Sequence, residues 1–124
     1  MATRLRAISL AAFLAATVSA AAPATAQQSN LPRNYALAIK CFVANGYARN
    51  LRRQAGDAAG ADRYDRQARQ SLESTSTFGT ALGYDRRRVE ADMNAAMDRE
   101  LPLMTRDAAY MRQAVADCRA VGLM

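Results

Sequence analysis

Histidine and tryptophan are absent from the 124 residues, lysine occurs once, at Lys40, and only three prolines are present. The missing histidine excludes most. Without imidazole there is no Ser-His or Cys-His nucleophile pair, no histidine-ligated haem and none of the common zinc sites. The chain also has no Cys-x-x-Cys-His, no glycine-rich phosphate loop and no Walker lysine. Catalysis would have to rest on carboxylates, arginine, tyrosine or a metal held by oxygen. Glu90 and Glu100 could do acid-base work in principle, but nothing in their spacing separates them from solvated surface charge. The sequence therefore points away from an enzyme, names no catalytic residue and calls for no cofactor or metal.

Two cysteines are all the chain has. Their meaning depends on the compartment, and the N-terminus speaks to that. Arg4 and Arg6 form a basic end, an apolar run extends from Ala7 to about Ala22, and Ala24-Thr25-Ala26 closes it before Gln27. That three-part pattern is a secretory signal with cleavage after Ala26, leaving 27–124 as one domain. An uncleaved anchor fits less well, because spanning takes about 20 uninterrupted apolar residues and this run is shorter, alanine-rich and stopped by Pro23. No cysteine follows the cleavage site to carry a lipid. Apart from Lys40 every basic residue is arginine, and alanine is abundant. Both point to a GC-rich bacterial genome and hence to the periplasm. Cleavage removes Arg4 and Arg6, so 15 basic residues face 11 acidic ones and the net charge falls from +6 to +4.

In an exported protein Cys41 and Cys118 are expected to form a disulfide. A redox-active pair would normally be closely spaced, and Cys-x-x-Cys is absent. Cys41 lies about two and a half turns into the first helix and Cys118 about one turn from the end of the last. In an up-down-up-down bundle those positions fall at similar heights. The loop they close is worth roughly 4 to 5 kcal/mol on the chain-entropy model.

Helical periodicity organises the rest. Asn30 and Pro32 read as a cap and an early-turn proline. From there Leu37, Cys41, Ala44, Ala48, Leu51 and Ala55 recur at three and four, widened by Tyr35, Ile39 and Phe42. Asn45-Gly46 is a turn signal inside this run, yet the stripe stays in phase past it, so one continuous helix is expected. Gly56-Asp57 supplies a stop and a new cap. The second helix places Ala61, Tyr64, Ala68, Leu72, Thr75, Phe78 and Leu82 on one face, with Asp62 and Arg66, and Asp65 and Arg69, set four apart on the other. Ser71 to Thr80 is rich in poor helix formers and reads as a frayed or kinked end or a binding loop. Gly83 ends that helix and Asp85 caps the third, which carries Val89, Met93, Ala96, Met97, Leu101 and Met104. Pro102 should kink or end it. Thr105 or Asp107 opens the fourth, with Ala108, Met111, Ala114, Val115, Cys118 and Val121 on its stripe. No segment alternates over strand length. The expected fold is an all-α, four-helix up-down bundle tied by one disulfide.

Arginine is the remaining candidate for function. Arg49, Arg52 and Arg53 close the first helix, and Arg86, Arg87 and Arg88 open the third, where cations oppose the helix dipole. With Tyr47, Tyr64 and Tyr84 nearby, these arginines could engage an acidic envelope protein, an envelope polymer or anionic lipid headgroups. Export and the modest charge argue against nucleic acid. A solvated basic face explains them equally well, since isolated surface charge costs little. Met93, Met97, Met104 and Met111 could bind cuprous copper through their thioethers, although at helical spacing methionine more often fills a core. The sequence thus favours a non-enzymatic periplasmic binding or interaction protein, with a small-ligand or metal carrier as the alternative.

Overall fold

The computed structural model describes residues 24–124. Of the signal peptide expected over 1–26, positions 1–23 lie outside that range. Four helices make up the described chain: α1 (Ala24–Gln54), α2 (Ala58–Ala81), α3 (Arg86–Arg106) and α4 (Ala108–Ala120). No strand occurs among the described residues. No helix there is long and apolar enough to cross a membrane.

The helix ends follow simple local rules. Carboxylates of Asp57, Asp85 and Asp107 accept from the first amides of α2, α3 and α4, at 2.8 Å from Gly60, 2.8 Å from Arg88 and 2.9 Å from Ala109. Gly56 and Gly83 close α1 and α2 with φ of 74° and 77°, conformations that side-chain-bearing residues rarely adopt. Each turn returns an amide to the carbonyl five residues back, Asp57 to Arg52 and Tyr84 to Gly79.

Three local expectations need correction. The first helix does not start at Asn30 and Pro32; it begins at Ala24 and carries Pro32 inside it, where the ring withholds one amide from the Gln28 carbonyl. Of the two outcomes expected of Pro102, a kink or an end, the end is excluded, since α3 runs four residues further to Arg106. Pro102 is solvent-exposed, so water can satisfy the carbonyl it deprives. Ser71 to Thr80 is neither frayed nor a loop but the second half of α2. Ser71, Thr75 and Gly79 there are buried, and the Ser71 and Thr75 hydroxyls donate back to the carbonyls of Gln67 and Ser71. Their smallness lets α2 lie close on α1, where Ala38, Cys41, Ala44, Asn45 and Ala48 are buried opposite. The α1 stripe continues unbroken through Asn45 and Gly46, as its phase predicts.

The up-down order holds, with α1 in contact with all three other helices. Antiparallel α2 is marked by Asn45 reaching Ser71 and Arg49 reaching Asp65. Parallel α3 starts beside Tyr35, whose hydroxyl donates to Asp92 at 2.9 Å, and ends with Met104 packed near Val43 and Ala44. Helix α4 returns obliquely. Tyr110 near its start donates to Glu100 of α3, whereas Arg119 near its end lies by Arg63 and Gln67 of α2. Between them Cys118 is bonded to Cys41, with Cα atoms 5.6 Å apart. Gly122, with φ of 73°, turns the chain so that Leu123 is buried against Ala38.

Candidate binding groove

Helices α2 and α3 both rest on α1 but barely on each other. They meet at the Leu82–Asp85 connection, where Gly79 sits so tightly that an added Cβ would lie 2.8 Å from Val89 Cγ2. Beyond that point they part. The gap is a groove of about 460 Å³ lined by Leu72, Ser76 and Thr80 of α2, Tyr84 of the connection, and Arg86, Val89, Glu90 and Met93 of α3. At helical spacing Met97 and Leu101 extend the α3 wall, and both are exposed, as is Leu72. An apolar floor with the hydroxyl-bearing Ser76, Thr80 and Tyr84 and one ion-paired rim suits an apolar chain or helix face better than a charged one.

Tyr35 and Tyr84 brace the closed end, their rings edge-on at 5.3 Å. Burial first, then the hydrogen bond to Asp92, raises the Tyr35 phenol to about 12. Arg88 pairs with the same Asp92 at 3.0 Å and stands 4.7 Å over the Tyr84 ring. The Asp92 carboxylate holds the Arg88 proton more tightly than usual.

The structure places the six sequence-selected arginines at opposite ends of α1, and most face a carboxylate. Arg49 donates to Asp65 at 2.8 Å, and Arg69 binds the other Asp65 oxygen at 3.0 Å. Together, Arg49 foremost, they hold Asp65 below the ordinary carboxylate range. Arg52 meets Asp57 at 3.4 Å, Arg86 meets Glu90 at 2.7 Å, and Arg88 meets Asp92. Arg53 and Arg87 are exposed and have no carboxylate partner among the described residues. Of the two acid–arginine pairs expected along α2, Asp65 with Arg69 forms and Asp62 with Arg66 does not.

The methionines divide. Met104, with Met111 and Met124 against it, packs among Val43, Ala44 and Ala114, while Met93 and Met97 belong to the groove side of α3. Among the described residues no three His, Cys, Asp or Glu side chains are grouped to hold a metal ion.

Periodicity does not reveal the groove, because it places Leu72, Met97 and Leu101 on the same apolar stripes as buried residues. The signal was there in α2, which carries a stripe of small residues, Ala61, Ala68, Ser71, Thr75 and Gly79, rotated from its large ones. Only one stripe can face α1, and close approach selects the small one. Comparison with protein families, curated proteins and solved structures finds no match to this chain.

Proposed function

We propose that this chain is a small exported, periplasmic protein that acts by binding rather than catalysis, and that the α2/α3 groove receives an apolar helix face of an envelope partner protein. The carrying observation is the groove itself, about 460 Å³ of open, mainly apolar surface continued by exposed Met97 and Leu101. Helix-in-groove recognition uses such a surface, and flexible methionine side chains adapt to the incoming residues. The pairing of Arg49, Arg52, Arg86 and Arg88 with carboxylates supports this form over one driven by the basic helix ends. The signal pattern over 1–26 supports the location, and the disulfide suits an oxidising compartment.

A photo-reactive residue at Leu72 or Met97, introduced in the native host, is expected to cross-link to a discrete envelope protein, and Met93→Asp is expected to abolish the adduct. The same probe at exposed Arg112 should give none. Equal labelling from all three positions, or none from the groove, overturns the reading. The groove volume also falls within the range of small-molecule sites, so the second reading is a ligand carrier. It predicts added mass on the native protein and a higher melting temperature with the extracted ligand. Export is checked on the same sample: an intact mass beginning at Gln27 and two hydrogens short supports it, and an uncleaved chain refutes it.

A further inference from the structure

Three buried polar atoms have no hydrogen-bond partner among the described residues: Asn45 Oδ1, Arg49 Nε and Gln67 Oε1. They belong to facing turns of α1 and α2. Asn45 and Arg49 are one turn apart on α1, and the residues they reach, Ser71 and Asp65, bracket Gln67 on α2. At Gln67 the surface dips into a concavity of about 250 Å³ lined by Arg63, Tyr64, Gln67, Arg119 and Met124. Arg63 comes from α2 and Arg119 from the last turn of α4, beside the cysteine that anchors that turn to α1.

Two guanidinium groups share this concavity, and neither forms an ion pair with a carboxylate among the described residues. Guanidinium groups match tetrahedral oxyanions with paired donors. Gln67, whose buried Oε1 has no partner, lies in the same lining and adds an acceptor. An acceptor beside cations suits an oxyanion that carries a hydroxyl. We infer that this concavity binds a phosphate group, with Arg63 and Arg119 holding the charged oxygens and Gln67 accepting from a hydroxyl on the phosphate or next to it. The site is distinct from the α2/α3 groove and does not depend on the reading given to that groove.

The test is a titration of the native, disulfide-bonded protein with inorganic phosphate at constant ionic strength balanced by chloride. It is followed through the arginine Nε–H and glutamine amide resonances. Saturable shifts at Arg63, Arg119 and Gln67 are expected. Arg63→Gln and Arg119→Gln should each weaken binding about tenfold, the loss of one charge-assisted contact, while Arg87→Gln changes nothing. Sedimentation with phosphatidylglycerol vesicles gives the source: if retention is lost in the Arg63→Gln/Arg119→Gln double variant, the phosphate is that of a lipid headgroup. If phosphate alone binds, it is that of a small solute. Binding of either that survives the double variant overturns the assignment. Shifts equal at all arginines including Arg87, or no binding to phosphate or vesicles, also overturn it.

Discussion

The side-chain amide of Asn45 donates at 2.7 Å to the main-chain carbonyl of Leu123, tying the middle of α1 to the turn that follows α4. The same nitrogen lies 2.9 Å from the Cys41 carbonyl and 3.4 Å from the Ser71 hydroxyl. Asn45 is fully buried, so it sets the height at which α1, α2 and the C-terminal turn meet. A polar residue buried in a seam specifies register because every slipped arrangement leaves it unpaired.

Asn45→Ala is therefore expected to destabilise the fold by about 2 to 3 kcal/mol. It opens a small cavity and strands the Leu123 carbonyl away from water. Urea denaturation gives the loss. Hydrogen exchange gives its location, because the Leu123 amide, which donates to the Cys118 carbonyl at 2.9 Å, should lose protection before α2 does. A change under about 0.5 kcal/mol, typical of a surface substitution, would show that Asn45 is not what holds the turn.

The disulfide acts on the same turn from the other side. Cys41 and Cys118 are 77 positions apart, and cross-linking over that span restricts the unfolded chain by about 4 kcal/mol on the entropic account. The Cys41→Ser/Cys118→Ser double variant should lose most of that, read from the unfolding free energy extrapolated to water, with a steeper slope because the unfolded chain without the cross-link exposes more surface. The phosphate affinity assigned to the Arg63 and Arg119 concavity should fall as well, since nothing covalent then fixes the last turn of α4.

Two titrations give the stability its pH dependence. Asp65 is held below its ordinary value of 3.8 by Arg49 and Arg69, so the folded state releases its proton more readily than the unfolded chain. Its contribution is full above about pH 4 and disappears as the pH falls through the depressed value. Tyr35 works in the opposite direction. Raised to about 12, it holds its proton in the folded state while the unfolded phenol ionises near 10. Its contribution is full below pH 10 and is lost between pH 10 and 12. Urea midpoints across pH 2 to 12 should fall at both ends. Asp65→Asn should flatten the acid limb and Tyr35→Phe the alkaline limb, and a variant that leaves its limb unchanged removes that group from the account.

The all-α plan, the caps at Asp57 and Asp85, the stops at Gly56 and Gly83 and the Cys41–Cys118 bond are all legible in the sequence, and Asp107 is one of the two starts it offers for α4. Each depends on residues close in the chain or on the one available pairing. The face of α2 was legible in part: Ala61, Ala68 and Thr75 are buried and Phe78 and Leu82 pack against the core, but Ser71 and Gly79 complete that face where Leu72 was expected. Periodicity scores hydrophobicity, and by that measure Leu72 outranks Ser71 and Thr75. The fold instead selects on size, because the small stripe permits closer helix approach than the large one does. The phosphate concavity was hidden for a related reason. Arg63 and Arg119 come together only because α4 crosses α1 obliquely, and a regular bundle drawn from periodicity gives no such crossing.

Two glycines test the size argument directly. Gly46 lies within α1 with nothing inside 4 Å of where its Cβ would stand. Gly46→Ala should therefore stabilise by close to the intrinsic helix gain, about 1 kcal/mol. Gly79→Ala makes the same propensity gain in α2, but its Cβ would come 2.8 Å from Val89 Cγ2 and 3.3 Å from Tyr35 Cε2. Relief requires α2 to shift away from α1 and α3, and overpacking of this kind costs about 1 to 3 kcal/mol. The net effect should be destabilising. Val89→Ala removes the nearer methyl, so the Gly79→Ala/Val89→Ala double variant should be more stable than the sum of its singles by about 1 kcal/mol or more, the coupling expected of residues in contact. Additive singles would mean that α2 has room at Gly79. The close approach of the three helices at the closed end of the groove would then not be what sets its shape.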